Sequence, residues 1–497
     1  MIWFDIALLW YACYRIFCNW CGWALPSEKM AMSFILALAS KSLILFFLIR
    51  FGIQPIAGIQ LLASVVVLVS TLLIPKKSNK EIEILSGQKT GLIWITLLAV
   101  SGLFVFSMIN AWFFPITESD AIWYQIRGMS FFNEVRFDSE SVVPQLRQYP
   151  PFVPLLFAYL FAFDVEFLKV FFPILFLCLN IIFYSRLLSI SGTQKTACLF
   201  TMVLATTPYF WWHGVLPFLD MTTAVFYSTG TLYWYCWVKS RIDGSSPDKE
   251  KSYALVSGVL FGLAAWTRME FLLYDLIPIF LTVYVFSRYS DERSSRDSLR
   301  IFFISLLLFP SIWFLNLLTF DMALWSQVKM VGGVCSFLWI LAFTLVWGGW
   351  KISESNVRLA FIFAVLGYFI LLFLFDTGPM PVWKKLVISL YRTSVVHIYY
   401  LFTASLVIFI FFEKIKSLSE QKKILGFFLI LFLCTHLALF SYATPKWPTL
   451  GEFVYATFIQ PGNSVNLSDT RGMMSVYPVF MFFISLLPFV NRRLTNE

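Results

Sequence analysis

Three polar side chains stand at spacings of four and three in the stretch FPITESDAIWYQIRGMSFF, residues 114–132: Asp120, Tyr124 and Arg127. On a helix that starts near Ser119 they share one face. A carboxylate in reach of an attacking hydroxyl can take its proton. A guanidinium can hold a departing phosphate by charge-assisted hydrogen bonds. The same residues also read as plain structure. Thr117-Glu118-Ser119-Asp120 fits a loose capping box, in which an acid only holds a helix start.

Other candidates sit at the ends of apolar runs. Tyr149 opens YPPFVPLLFAYLFAF (149–163), Asp220 follows HGVLPFL, and Arg268 stands beside Glu270 in WTRMEF. Arg471 and Tyr477 share DTRGMMSVYPVF, and Arg147 and Arg392 are further basic candidates. Charged residues near membrane depth carry function by default. The plain alternative for Arg268 is an ion pair with Glu270 that closes a turn. For Arg471 it is an arginine snorkelling to the interface. His213, beside Trp211 and Trp212, reads as an interfacial histidine, and His397 is ambiguous.

These residues need elements to carry them. The 497 residues are 59% hydrophobic and 13% charged, with a mean hydropathy of +0.77. The apolar runs are continuous rather than alternating and approach the length of a bilayer-spanning helix. Lipid admits only helices and closed barrels, so the expected fold is an all-α polytopic membrane protein with about 13–15 spans. Charge-poor runs put them near 6–24, 33–50, 57–74, 91–113, 166–187, 196–212, 217–238, 253–269, 271–287, 301–320, 333–350, 358–375, 398–412, 424–442 and 473–490. The segment 149–163 is too short to cross and reads as a helix in the outer interface.

The net charge of +9 gathers in blocks: KKSNKE from Lys76, KSRIDGSSPDKEKS from Lys239, SRYSDERSSRDSLR from Ser287, EKIKSLSEQKK from Glu413 and NRRL from Asn491. No aromatics interleave with them, so a single-strand nucleic-acid surface is not the reading. Basic loops mark the cytoplasmic side. The opposite side then receives residues 114–165, the turn from Thr207, and loops 376–397 and 443–472. Lys41 and Arg15 inside the early runs leave the orientation of the first two helices open. The start of the chain lacks a charged region and a cleavage site, so it reads as a first helix. The eight Cys show no metal-type spacing; Cys18 and Cys21 form C-x-x-C in an apolar run and read as small buried hydrophobes.

In order and sidedness, SDAIWYQIRGM, YPPFVPLLFAYL, IIFYSRLL from Ile181, TPYFWWHGVLPFLDMTTAVFY from Thr207 and GLAAWTRMEFLLY from Gly262 resemble the membrane-integral glycosyltransferases of the GT-C fold. The resemblance covers residues 90–290. It departs from the family pattern in two places. Ala121 follows Asp120 where many members have a second acid, and three or so extra helices precede the loop.

The resemblance implies three regions: extra helices in 1–90, a GT-C-like catalytic module in 91–290, and C-terminal helices in 291–497. It implies inverting transfer of a sugar from a polyprenyl-phosphate carrier to a glycan, lipid or protein acceptor on the non-cytoplasmic side. A bacterial inner membrane is the expected location. Asp120 would be the base. Arg268, Arg471 and Arg127 would hold the donor phosphate. Glu118, Tyr124, Tyr149, Asp220 and Tyr477 would support them, and Asp220 could help hold a divalent cation such as Mg or Mn. Two other readings share the topology. A transporter or flippase of a lipid-linked substrate would show repeated halves, which the sequence lacks. A polymerase or ligase of lipid-linked glycans would put its key loop at 376–397 or 443–472.

Overall fold

The computed structural model describes residues 1–75, 91–147, 149–289, 294–319, 333, 336–340, 342, 417–443, 472–487 and 490. Among them every regular element is helical. Five helices are long and apolar enough to cross a membrane: Pro26–Arg50, Gly91–Phe113, Phe171–Ser191, Phe271–Arg288 and Arg296–Leu317. The chain therefore has the make-up of an all-α integral membrane protein. Most of the expected spans 333–350, 358–375 and 398–412, and loops 376–397 and 443–472, lie outside the described residues.

The helices differ in what they face. Helix α4 (Gly91–Phe113) has only 17% of its most apolar window buried, and it presents Trp94, Leu98, Phe106 and Phe113 outward. It is a lipid-facing helix. Helix α11 (Leu219–Ile242) is buried along nearly its whole length and carries Thr222, Thr223, Ser228, Thr229 and Thr231. Thr223 bonds back to the Leu219 carbonyl at 2.6 Å and Thr231 to that of Tyr227 at 2.9 Å, while Ser228 reaches out to the Ser475 carbonyl at 2.6 Å. Surrounded by protein rather than lipid, it needs no uniform hydropathy. Against it packs α12 (Pro247–Thr267), which in turn packs on α15 (Ser294–Leu317). Gly258 and Gly262, four apart on α12, make that contact: a Cβ on Gly262 would stand 2.6 Å from the Leu306 carbonyl oxygen. Small residues at this spacing let helix backbones approach closely inside a membrane.

Three hydrogen bonds fix which ends lie together. Asn19 Nδ2 donates to the Pro75 carbonyl at 3.2 Å, Ser252 Oγ to that of Trp20 at 2.6 Å, and Ser27 meets Ser185 at 3.5 Å. The ends of α1 (Ile2–Trp20) and α3 (Ala57–Leu72) and the start of α2 (Pro26–Arg50) thus share the end of the bundle that bears the Lys239–Ser252 block. We call this the basic end. At the opposite end Lys169 Nζ donates to Asn110 Oδ1 at 2.9 Å and to the Pro115 carbonyl at 3.3 Å. That pair anchors the start of the 114–165 loop.

The loop holds α5 (Ser119–Asn133), the single turn α6 (Pro144–Arg147) and α7 (Phe152–Ala162). The interfacial placement expected for 149–163 needs correction. All residues of α7 but Phe161 are buried, and it packs against α5 and α2. A helix that is apolar on every side has no face for water and goes inside. Gly128 of α5 sets the approach: a Cβ there would lie 2.5 Å from Phe157 Cβ and 2.7 Å from the Pro154 carbonyl oxygen. Gly128→Ala is expected to force α5 off α7 and to cost roughly 1–3 kcal/mol, the usual range for overpacking. A melting temperature in detergent equal to that of the native chain would contradict this contact.

Beyond the loop lie α8 (Phe171–Ser191), α9 (Gln194–Thr206), α10 (Pro208–His213), α13 (Phe271–Tyr274), α14 (Leu276–Arg288), α16 (Glu420–Ala443) and α17 (Tyr477–Ser485). The run expected as one span at 196–212 is two helices, because Pro208 cannot continue the first.

The extra N-terminal helices are bolted to the loop by a buried polar knot. Asp5 of α1 pairs with Lys41 of α2 at 2.7 Å. Ser64 of α3 donates to Asp5 Oδ1 at 2.7 Å, and Tyr159 of α7 donates to Asp5 Oδ2 at 2.6 Å. Lys41 also donates to Ser64 Oγ at 2.8 Å. All four residues are fully buried.

Candidate functional site

Four segments that are far apart in sequence meet at the end of the bundle opposite the basic blocks. Helix α5 brings Asp120 and Tyr124, and the Tyr149-Pro150-Pro151 turn brings Tyr149. The start of α11 brings Asp220, and the turn after α12 brings Arg268 and Glu270. Arg268 is the hub. Its Nη1 donates to Asp220 Oδ1 at 2.7 Å, and its Nη2 lies 3.8 Å from Glu270 Oε1. Burial works against its charge, but Glu270 and Asp220 outweigh burial and raise its pKa.

The two tyrosines report the surrounding charge. The Glu270 carboxylate, then burial, then Asp120 push the Tyr149 hydroxyl up to about 12, against the Arg268 charge. Burial foremost, then Asp220 and Asp120, raise the Tyr124 hydroxyl. Both stay neutral donors at physiological pH. Asp120 itself is half-buried.

Arg268 Nε and Glu270 Oε2 are buried with no hydrogen-bond partner among the described residues. Buried polar atoms without partners cost free energy, so the cluster carries unused bonding capacity. Two carboxylates, Asp220 and Glu270, engage a single guanidinium, and Asp120 lies near the two tyrosines. Such a site can accept a proton and orient a hydroxyl, and Arg268 can meet an anion only by sharing it with its acids.

The remaining candidates are placed differently. Arg127 shares a helix face with Asp120 but is fully buried beneath the loop. Its Nη2 donates to the carbonyls of Tyr149 at 2.7 Å and Arg147 at 3.1 Å. Its guanidinium stacks over Phe131 and Trp313, and burial pushes its pKa down to about 9. In this geometry Arg127 holds the Tyr149 turn. Arg147 spends its Nε on the Val142 carbonyl at 2.6 Å.

Glu118 is the residue before α5, yet it makes no capping hydrogen bond; its carboxylate accepts the Thr117 N–H at 3.2 Å. The Glu118 side chain therefore does not cap α5. Tyr477 meets Thr207 Oγ1 at 2.9 Å and packs on Phe210, which ties α17 to the α9–α10 break. His213 is buried against Phe218. Arg471, Arg392 and His397 lie outside the described residues. Cys18 and Cys21, at the end of α1, form no disulfide among the described residues.

Glu270 enters the cluster as a full member, whereas its sequence context suggested only a turn partner. Among the described residues no group of three or more His, Cys, Asp or Glu could hold a metal ion. Asp220 and Glu270 are instead engaged by Arg268. The chain matches no protein-family model, no curated protein and no solved structure.

Proposed function

We propose that the chain is a membrane glycosyltransferase of GT-C type that uses a polyprenyl-phosphate-linked sugar. The observation that carries this reading is the meeting of Asp120, Tyr124, Tyr149, Asp220, Arg268 and Glu270 at one end of a membrane bundle. They come from the segments whose order resembles that family. An active site at the end opposite the basic blocks faces away from the cytoplasm, in keeping with a bacterial inner membrane.

In the proposed reaction an acceptor hydroxyl attacks the anomeric carbon. The new C–O bond forms as the bond to the phosphate oxygen breaks, and its electron pair leaves with the lipid phosphate. The hydroxyl proton passes to the Asp120 carboxylate. One displacement with one base inverts the anomeric carbon. Arg268 offers its unused Nε–H to the leaving phosphate, while Asp220 and Glu270 fix the guanidinium plane. Tyr149 and Tyr124, held neutral by burial and the acids around them, donate hydrogen bonds to sugar or phosphate oxygens. Arg471 remains a candidate for the same phosphate.

Arg268→Lys tests the hub. Lysine keeps the charge but cannot span two carboxylates and an anion in one plane. The expected result is a donor KM raised about 10- to 100-fold, the value of one charge-assisted hydrogen bond, with the chain still folded. The function itself is tested by incubating purified chain with polyprenyl-phosphate sugars and following release of the lipid phosphate. Release only in the presence of an acceptor, and an inverted product, supports the reading. Movement of intact carrier across vesicles without release would replace it with a flippase.

A further inference from the structure

We propose that the basic end of the bundle carries a second site, which binds the phosphate of an anionic lipid headgroup from the leaflet on that side. It is independent of the transfer reading.

Two long helices begin at this end, α2 at Pro26 and α12 at Pro247. Neither has a side-chain cap: Leu25 and Ser246 make no capping hydrogen bond. The turn between α1 and α2 lies against the first turns of α12, with the rings of Trp23 and Tyr253 4.3 Å apart. Helix starts present unpaired N–H groups and positive dipole ends.

A buried cation backs this opening. The Arg186 side chain is 1% exposed. One arm of its guanidinium pairs with Glu28, whose other oxygen takes the Tyr233 hydroxyl. Among the described residues its Nε and Nη1 have no hydrogen-bond partner, nor does the buried Trp23 indole N–H. The guanidinium lies 4.8 Å from the centre of the Trp23 ring, with Tyr253 and the Cys236 thiol beside it. Lys249 also stands by this indole, with Nζ 5.9 Å from the ring centre. Lys29 donates to the Gly22 carbonyl at 2.9 Å and keeps its other ammonium hydrogens.

Three cations thus face one buried acid. The nearby carboxylates do not cancel them. Glu250 accepts Ser298 Oγ at 2.7 Å and pairs with Arg241 at 3.5 Å, while Asp248 is exposed to solvent. A buried guanidinium that pairs with Glu28 on one arm but keeps donors without acceptors is costly. A phosphate seated between Lys29 and Lys249 would offset its charge, and the indole N–H is a further donor nearby. The aromatic pair and the level in the bundle suit a lipid headgroup: Trp and Tyr concentrate at the membrane–water interface, and anionic lipids meet basic residues on the cytoplasmic side.

The test titrates detergent-purified full chain with phosphatidylglycerol, with phosphatidylcholine as control, by native mass spectrometry. Lys29→Gln combined with Lys249→Gln is expected to weaken phosphatidylglycerol binding about 10- to 30-fold, roughly the loss of two lysines near an anionic surface. The melting temperature should be unchanged. Trp23→Phe keeps the ring, removes the N–H, and should weaken binding less; it stands in if the double variant does not fold. Equal binding by native and variant chains would overturn the site. A competition arm adds inorganic phosphate. Failure to displace the lipid supports a headgroup site, whereas stoichiometric displacement assigns the site to a soluble phosphate and overturns the lipid assignment.

Discussion

Asp120→Asn is expected to lower sugar transfer by about 100- to 10,000-fold, the usual cost of losing a general base, while melting temperature stays within a degree or two of the native chain. Asparagine keeps the size of aspartate and is as good a helix cap. A structural role would survive the change and a proton-accepting role would not. The structure sharpens the contrast, because the residue at the cap of α5 is Glu118, and its carboxylate turns back to the Thr117 N–H. Glu118→Gln should therefore cost less than Asp120→Asn. The comparison is initial transfer rate against thermal stability for both variants. Near-native transfer by Asp120→Asn would move the search for a base to Asp220 and Glu270, both already held by Arg268.

Lys41→Met should be the most damaging change far from that cluster. It leaves the Asp5 carboxylate fully buried with only the Ser64 and Tyr159 hydroxyls for partners. Breaking one side of a buried ion pair commonly costs about 3–5 kcal/mol, whereas replacing both sides by apolar groups is often neutral. The double variant Asp5→Leu, Lys41→Met should therefore recover most of the lost stability in a denaturation series in mixed micelles. If the double variant is no more stable than Lys41→Met, the pair is not the source of the loss.

Much of the bundle is legible in the sequence because lipid enforces long apolar runs. The run 91–113 is a helix with the same bounds. Legibility fails where protein replaces lipid as the surroundings. Segment 149–163 looks interfacial by length and proline content, yet its helix is inside, since burial depends on what packs around it.

The outer cluster was partly visible. Asp120 and Tyr124 follow from helical spacing, and Tyr149, Asp220 and Arg268 from their level at the ends of apolar runs. Spacing also put Arg127 on the face of Asp120, but it could not show that the Arg147–Tyr149 turn and Trp313 close over that residue. Glu270 was visible only as a neighbour of Arg268. Lys41 stood out as a charge inside an apolar run; its partner Asp5 did not, because no periodicity links residues on two different helices.

The knot of Asp5, Lys41, Ser64 and Tyr159 also constrains how the chain enters its membrane. Synthesis delivers α1 and α2 long before Tyr159. A lone Lys near the middle of an inserting helix costs about 2.5–3.5 kcal/mol on translocon scales; Lys41 stands inside α2, and Asp5 lies in the first turn of α1. Entering as a hairpin, the two helices can cancel those charges against each other at 2.7 Å. The unit of insertion is then the α1–α2 pair, with α3 adding its Ser64 hydroxyl next. The loop helix α7 arrives to a carboxylate already neutralised and needs to supply only a phenol.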